Sequence, residues 1–385
     1  MRCEKVSAHV SGPFVARAPR YARPNPHVGR NTGSNTMGFR HPTAPPGQAA
    51  PNPRNNHHMA TELWTAYWTM APRHGVLRTE AARSPDSGEA LVRTICTGIS
   101  HGTEMLVHAG HIPPEVAESM RAPFQVGSWP GPVKYGYLSV GVVEQGPASL
   151  KGSRVFCLHP HQDHYVVPAS ALTPVPDDVP SDRAVLAGTV ETGINALWEA
   201  GPRIGDRVAV VGAGMVGGVL ATLLRGFPVD RLELVDVNPA RSSLAAALGV
   251  ELVHPDDAAG DNDLVFHCSS TETGLARSLQ LLGDEAELIE LSWYGTAQPR
   301  VPLGGAFHSR RLAIRASQVG AVAAARRTRR TTRDRLALAM RMLKDPVFDA
   351  FITGHAPFAA LPQTMESIFS NGTETLCQVI DYPVD

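Results

Sequence analysis

Val208-Ala-Val-Val211-Gly212-Ala-Gly214-Met-Val-Gly217 decides how this chain is read. Four apolar residues form a strand, a G-x-G-x-x-G turn follows, and the stretch Met215–Arg225 reads as a helix. Alone, that glycine pattern is a weak signal; a strand before it and a helix after it are the context in which it cradles a dinucleotide. Gly212 permits the tight turn, Gly214 leaves room for a pyrophosphate to approach the backbone, and Gly217 lets the helix pack close to the strand. The anion would rest on the helix N-terminus, at the amides around Met215 and Val216. The next strand, Arg231–Val237, carries Asp236, 19 residues past Gly217. An acid there accepts from a ribose 2′-hydroxyl and repels a 2′-phosphate, which favours NAD. Arg241, five residues on, partly offsets the acid and keeps NADP open.

Outward from this turn, strand and helix patterns alternate. Pro239–Leu248 reads as a helix, and Asp263–Cys268, Glu287–Leu291 and Arg311–Ser317 as strands. Such alternation implies a doubly wound parallel sheet, an α/β unit over residues 201–334. Residues 61–200 differ: Glu89–Ile95, Ser139–Glu144, Arg154–Leu158 and His164–Val167 are short β-like runs between Gly/Pro turns, the pattern of a β-rich domain. The tail begins with an amphipathic helix, Arg335–Leu343, and ends in a strand-like piece around Gln378–Ile380.

Charge divides the chain differently. The first 58 residues hold eight Lys+Arg, one acid and 9 of the 32 prolines, with no hydrophobic period. Residues 1–60 therefore read as a disordered extension, a mis-assigned start (true initiation at Met59 or Met37) or an Arg-rich transit peptide. The remaining 327 residues carry 27 basic and 35 acidic side chains. No run approaches the ~18 apolar residues of a membrane span, no secretory apolar region is present, and the N-terminal arginines are scattered singly. The expectation is a cytoplasmic protein without membrane or nucleic-acid partners. Cys3, Cys96, Cys157, Cys268 and Cys377 are far apart and odd in number, which excludes a disulfide scaffold and a C-x-x-C zinc cluster. Cys96, Cys157 and Cys268 read as small buried hydrophobes.

Four segments carry a resemblance. Gly98-Ile-Ser-His-Gly-Thr-Glu104, Tyr135-Gly-Tyr-Leu-Ser-Val-Gly-Val-Val-Glu144, Gly205-Asp-Arg-Val208 and the glycine turn make residues 61–385 similar to the medium-chain dehydrogenase/reductase superfamily. Arg154-Val-Phe-Cys-Leu-His-Pro-His161 adds a likeness to the branch that includes the bacteriochlorophyllide a hydroxyethyl dehydrogenases. The resemblance implies a GroES-like β-barrel domain (61–200, completed by 335–385), a Rossmann domain, and an active site between them. It implies hydride transfer between a nicotinamide and a small alcohol or carbonyl substrate. Dimers are common in that family, so a homodimer is a further expectation.

Many members of that family hold a catalytic zinc. Matched by motif, the three ligand positions here are Ser100, Tyr137 and the neighbourhood of Gly188, and the four-cysteine structural zinc lobe is missing. A zinc-free enzyme is expected, with a site rebuilt from His101, His159, His161, His164 or Glu191 as the counter-reading. Without a Lewis acid, a positioned donor must stabilise the developing alkoxide and supply its proton. Ser100, His101 and Tyr137 are the candidates, His101 because an imidazole near its ordinary pKa of about 6.5 exchanges protons at neutral pH. Each has a plainer reading as a loop or packing residue. Glu104 reads as a loop tether, and His161 as a cleft residue. Trp293 and Tyr294, in Leu291-Ser-Trp-Tyr-Gly295 at a strand end, read either as flanking the nicotinamide or substrate or as plain packing aromatics. Arg310 and Arg311 suit an anion but more often such residues are solvated or paired at the surface, and the cluster Arg326–Arg335 reads as an exposed loop running into a helix capped by Thr331 or Thr332 rather than as a patch steering an acidic substrate or partner. Two rivals keep the fold or lose the chemistry: a zinc-free quinone or enone reductase, and a non-catalytic dinucleotide-binding scaffold.

Overall fold

Val208–Val211 are buried throughout, and alternate side chains enter two different cores. Val208 and Val210 join one apolar cluster, Ala209 and Val211 another on the opposite face of the sheet. A strand covered on both faces needs this unbroken apolar run. In the computed structural model, which describes residues 63–371 and 374–383, this strand (Arg207–Val211) is central in a six-stranded parallel sheet. The order is Glu251–Val253, Arg231–Val235, Arg207–Val211, Asn262–His267, Leu282–Glu290, Ala313–Ala316. The chain goes first to one side of Arg207–Val211, then returns to the other. The reversal leaves a crevice at the carboxyl ends of Arg207–Val211 and Asn262–His267. The reading of residues 1–60 as an extension falls outside the described residues.

A seven-stranded sheet carries the β-rich half. Its order is Ile352–Pro357, Cys377–Asp381, Glu89–Ser100, Ser139–Gln145, Arg154–Cys157, Thr173–Pro174, with His164–Pro168 also on Glu89–Ser100. A four-stranded sheet (His74–Ala81, Leu63–Ala71, Val133–Lys134, Val126–Gly127) lies beside it and is tied to it by a bridge between Ala66 and Gln162. Helix Ala187–Ala200 joins the two halves. Its Val190 and Ile194 share one core with Leu138 and Phe156 on one side and Val208 and Val219 on the other.

The elements expected from the sequence are present, with shifted ends. Helix Met215–Leu224 stops one residue early. The strand expected to reach Val237 ends at Val235, because Asp236 turns the chain by accepting from the Asn238 amide (2.8 Å), leaving Val237 exposed. Pro239–Arg241 is a 3-10 turn before the helix Ser242–Leu248. Leu282–Glu290 begins five residues before the expected Glu287. Helix Thr332–Met342 starts before Arg335 and is closed by a capping box between Thr331 and Asp334.

Three readings are settled by the contacts. Arg335 does not belong to the exposed arginine cluster: it is 1% exposed, bound to Glu191 at 2.9 Å, to Asn195, and to the carbonyls of Val319 and Ala321. A carboxylate, a side-chain amide and two backbone carbonyls around the guanidinium make that burial tolerable. Cys96, Cys157 and Cys377 are buried, but Cys268 is only half-buried, at the strand end facing the crevice. Arg310 and Arg311 pair with Asp284 and Glu285 at the surface, which accounts for both without an anion.

Candidate active site

The glycine turn has the geometry its sequence implies. Gly212 has φ +105°, and a Cβ there would come within 2.7 Å of the Ser269 amide nitrogen. At Gly217 a Cβ would stand 1.8 Å from the Gly212 carbonyl oxygen, so only glycine lets helix and turn meet. At Gly214 a Cβ would touch nothing within 4 Å. The space over Gly214 lies in front of a helix start whose cap has no side-chain bond, leaving the Met215 and Val216 amides toward it. Asp236 closes the far side. Its Oδ2 accepts from the Ala213 amide at 2.6 Å, so this acid orders the turn as well as facing the space beyond. These residues fit a dinucleotide pyrophosphate and ribose.

A second cluster forms at the end of strand Glu89–Ser100. The short helix Thr103–Ala109 starts there, and Glu104 at its beginning is 2% exposed. Glu104 Oε1 accepts from the Ser100 amide at 2.8 Å, and Oε2 lies 2.9 Å from His161 Nε2. The other ring nitrogen of His161 meets the Thr97 hydroxyl at 2.7 Å. His161 is thus occupied at both nitrogens inside the β-rich half. The half-buried Tyr137 phenol lies near Ser100 and Thr103. Burial, then the nearby Glu104 carboxylate, push its pKa well above the phenol range. Tyr137 therefore stays protonated at any physiological pH and serves as a hydrogen-bond donor.

The His101 pKa is lowered, first by burial and then by the positive charge of Arg241. The expectation of an imidazole near its ordinary value is corrected: desolvation and a cation both disfavour the charged form, so His101 is neutral and lies on the Asp236–Arg241 side. Trp293 and Tyr294 also part company. Trp293 packs with Tyr137, Leu106 and Trp129 around Val107, Ile112 and Tyr135. Tyr294 turns back, stacking on His267 and reaching Glu290 at 3.3 Å. The loop between them and the β-rich half is tied down, since the Thr296 amide donates to the His111 carbonyl at 3.1 Å.

Sequence reasoning missed Thr97, Thr103 and the Glu104 contacts with His161. Thr103 stood inside a quoted motif and could have been found there. Thr97 has no local mark, because only the pairing of Glu89–Ser100 with its neighbours brings it to His161.

No family profile matches the chain. An L-threonine 3-dehydrogenase of Rhizobium rhizogenes is 29% identical over 119 residues, 30% of this chain and 33% of that protein. A sorbitol dehydrogenase of Macaca fascicularis is 26% identical over 156 residues, 38% of this chain and 42% of that protein. The chain thus matches well under half the length of these curated relatives. Solved structures match far more of it. L-idonate 5-dehydrogenase from Escherichia coli superposes with TM-score 0.69 at 15% identity, covering 83% of this chain and 98% of that one. An alcohol dehydrogenase zinc-binding domain protein from Burkholderia ambifaria gives TM-score 0.64 at 17% identity, over 84% and 100%. The fold is that of the medium-chain alcohol dehydrogenases. The superfamily resemblance is borne out at this level; the bacteriochlorophyllide branch is not among these relatives.

Some proteins with the medium-chain alcohol dehydrogenase fold are described as zinc-binding, so the donors here matter. Ser100 offers a hydroxyl, Tyr137 a phenol held protonated, and Gly188 no side chain. A Cβ at Gly188 would face Leu138, Leu158 and Phe156, an apolar wall. This set does not fit a zinc site of thiolates, imidazoles and carboxylates. The rebuilt set is not assembled either. Glu191 is taken by Arg335. His159 stacks on Tyr165 at 3.7 Å and bonds the Pro160 carbonyl, and His164 stacks on Trp64. Among the described residues no three His, Cys, Asp or Glu side chains converge as a metal site. Nor, among them, is any helix long and apolar enough to cross a membrane.

Proposed function

We propose that this chain is a nicotinamide-dependent oxidoreductase that interconverts a secondary alcohol and a ketone without a catalytic zinc. The observation that carries this reading is the open cradle over Gly214, with Asp236 behind it. Bound there, the nicotinamide cofactor would supply the hydride chemistry. Gly212, Gly214, Met215, Val216 and Gly217 hold its phosphates, and Asp236 holds its ribose and favours NAD; NADP stays possible through Arg241. Residues 201–334 form the cofactor domain, and 61–200 with 335–385 the catalytic one.

Tyr137 takes the position facing the substrate oxygen. Its high pKa makes it a hydrogen-bond donor to developing negative charge, with Ser100 and Thr103 as the hydroxyls that pass a proton on. Glu104 and His161 position this group by holding the Ser100 backbone. Neutral His101, beside Arg241, belongs to the cofactor side. The aromatic wall of Trp293, Trp129 and Tyr135 suits a small, largely apolar alcohol or carbonyl compound. The same metal-free donor set would serve reduction of a conjugated C=C, which is the second reading. A homodimer in the cytoplasm is in keeping with both.

The test is a screen of alcohols, ketones and enones, followed by NADH and NADPH absorbance. Turnover with an alcohol–ketone pair supports the proposal, turnover with enones alone favours the second reading, and no cofactor binding at all refutes both. Tyr137→Phe is expected to cut kcat about 100-fold with little change in cofactor affinity. About one tightly held zinc per chain in elemental analysis would overturn the metal-free part.

A further inference from the structure

At the carboxyl edge of the parallel sheet, three side chains on two strand ends form a chain that hydride transfer leaves unused. Ser269 Oγ lies 2.7 Å from His267 Nε2, and His267 Nδ1 lies 2.9 Å from both carboxylate oxygens of Glu290. Strand register sets His267 beside Glu290, and Ser269 follows two residues later on the loop leaving the strand. The His267 ring is wholly buried. Glu290 is held from other sides by the Ser292 amide (2.7 Å) and the Tyr294 phenol (3.3 Å).

The hydrogen positions follow from the partners. A carboxylate only accepts, so the imidazole proton sits on Nδ1 and Nε2 accepts from Ser269. The Thr271 hydroxyl, 2.9 Å from Ser269 Oγ, already accepts from the Gly274 amide at 3.0 Å, so its own proton turns to Ser269. Ser269 is thus oriented to give its proton to His267; the half-buried residue follows the carboxyl end of Asn262–His267, with its backbone beside Gly212 and its Oγ against Gly274 at the start of the next helix. Hydroxyl, imidazole and carboxylate in this order are what nucleophile activation requires.

We propose that Ser269 is a nucleophilic serine and that the crevice supports acyl transfer from small carboxylic esters. Ser269 Oγ attacks the ester carbonyl carbon as His267 Nε2 takes the hydroxyl proton, and Glu290 balances the imidazolium. The new O–C bond forms, and the ester's C–O bond breaks as the alcohol leaves with the proton from His267. Water then repeats the sequence, releasing the carboxylic acid and restoring Ser269. Charge on the carbonyl oxygen falls near the positive end of the ten-residue helix Glu272–Leu281, which starts at Thr271. The reaction needs no cofactor, so it stands or falls independently of the hydride reading.

The test uses the full chain without nucleotide. A fluorophosphonate probe is expected to label Ser269, located by peptide mass mapping of the unmutated protein. Hydrolysis of p-nitrophenyl acetate is expected to fall at least about 100-fold in Ser269→Ala, and by a smaller factor in Glu290→Gln, which keeps shape but weakens the hold on His267. The mapping does not depend on any variant folding. Absence of probe at Ser269, or a wild-type hydrolysis rate in a folded Ser269→Ala protein, would overturn the proposal.

Discussion

Single side chains separate what stabilises this protein from what equips its cleft. Gly217 and Gly214 belong to one motif but face different constraints. Gly217→Ala drives a Cβ into the Gly212 carbonyl, so a lowered melting temperature and loss of NADH binding are both expected. Gly214→Ala meets only open space; the melting temperature should hold while NADH affinity, read by fluorescence titration, weakens at least about tenfold, because the added methyl occupies the phosphate's room. Arg335→Met strands the buried Glu191 carboxylate and should cost about 3–5 kcal/mol in urea unfolding. At this scale the sequence is a poor guide to Arg335. It stands among the solvated arginines 326–333, and only the helical turn begun at Thr331 rotates it inward. Ser100 and Tyr137 were legible through motif position. Their nearness to Thr103, and the burial and neighbouring cation that lower the His101 pKa, depend on distances no spacing encodes.

Elements were legible where burial imposes a rhythm. The run 208–211 stands out because both faces of its strand are covered, and the helix after it because small residues crowd its start. Ends were less legible, since they depend on individual bonds: Asp236 stops a strand by capturing the Asn238 amide, and Thr331 with Asp334 sets a helix start. That start is directly testable. Thr331→Ala removes the hydroxyl that accepts from the Asp334 amide, and the expected loss is about 1 kcal/mol in chemical denaturation. The Ser269–His267–Glu290 chain escaped sequence reading for the same reason. Its members sit on different elements, and only the parallel register of His267 with Glu290 unites them.

For the whole molecule, the division into a β-rich half and a parallel α/β half was visible as a change in the spacing of turns near residue 203. Acid stability is a property at this scale. Burial holds the His159 imidazole at a pKa of about 3, while in the unfolded chain it titrates near 6.5. Between those values the unfolded chain binds the extra proton. His159 therefore removes stability as pH falls from about 6.5 towards 3, by up to about 1.4 kcal/mol per pH unit. His159→Phe, which keeps the stack on Tyr165, should flatten the unfolding midpoint against pH across that window. An unchanged slope would show that His159 is not the group responsible. The pairing of Cys377–Asp381 with Glu89–Ser100 also has a consequence for synthesis. The strands of the parallel sheet are all in hand once Ala316 has left the ribosome, but the sheet around Glu89–Ser100 must wait for Cys377–Asp381, made later. For that interval Glu89–Ser100 carries an open strand edge, the kind of edge that invites mispairing until Cys377–Asp381 arrives.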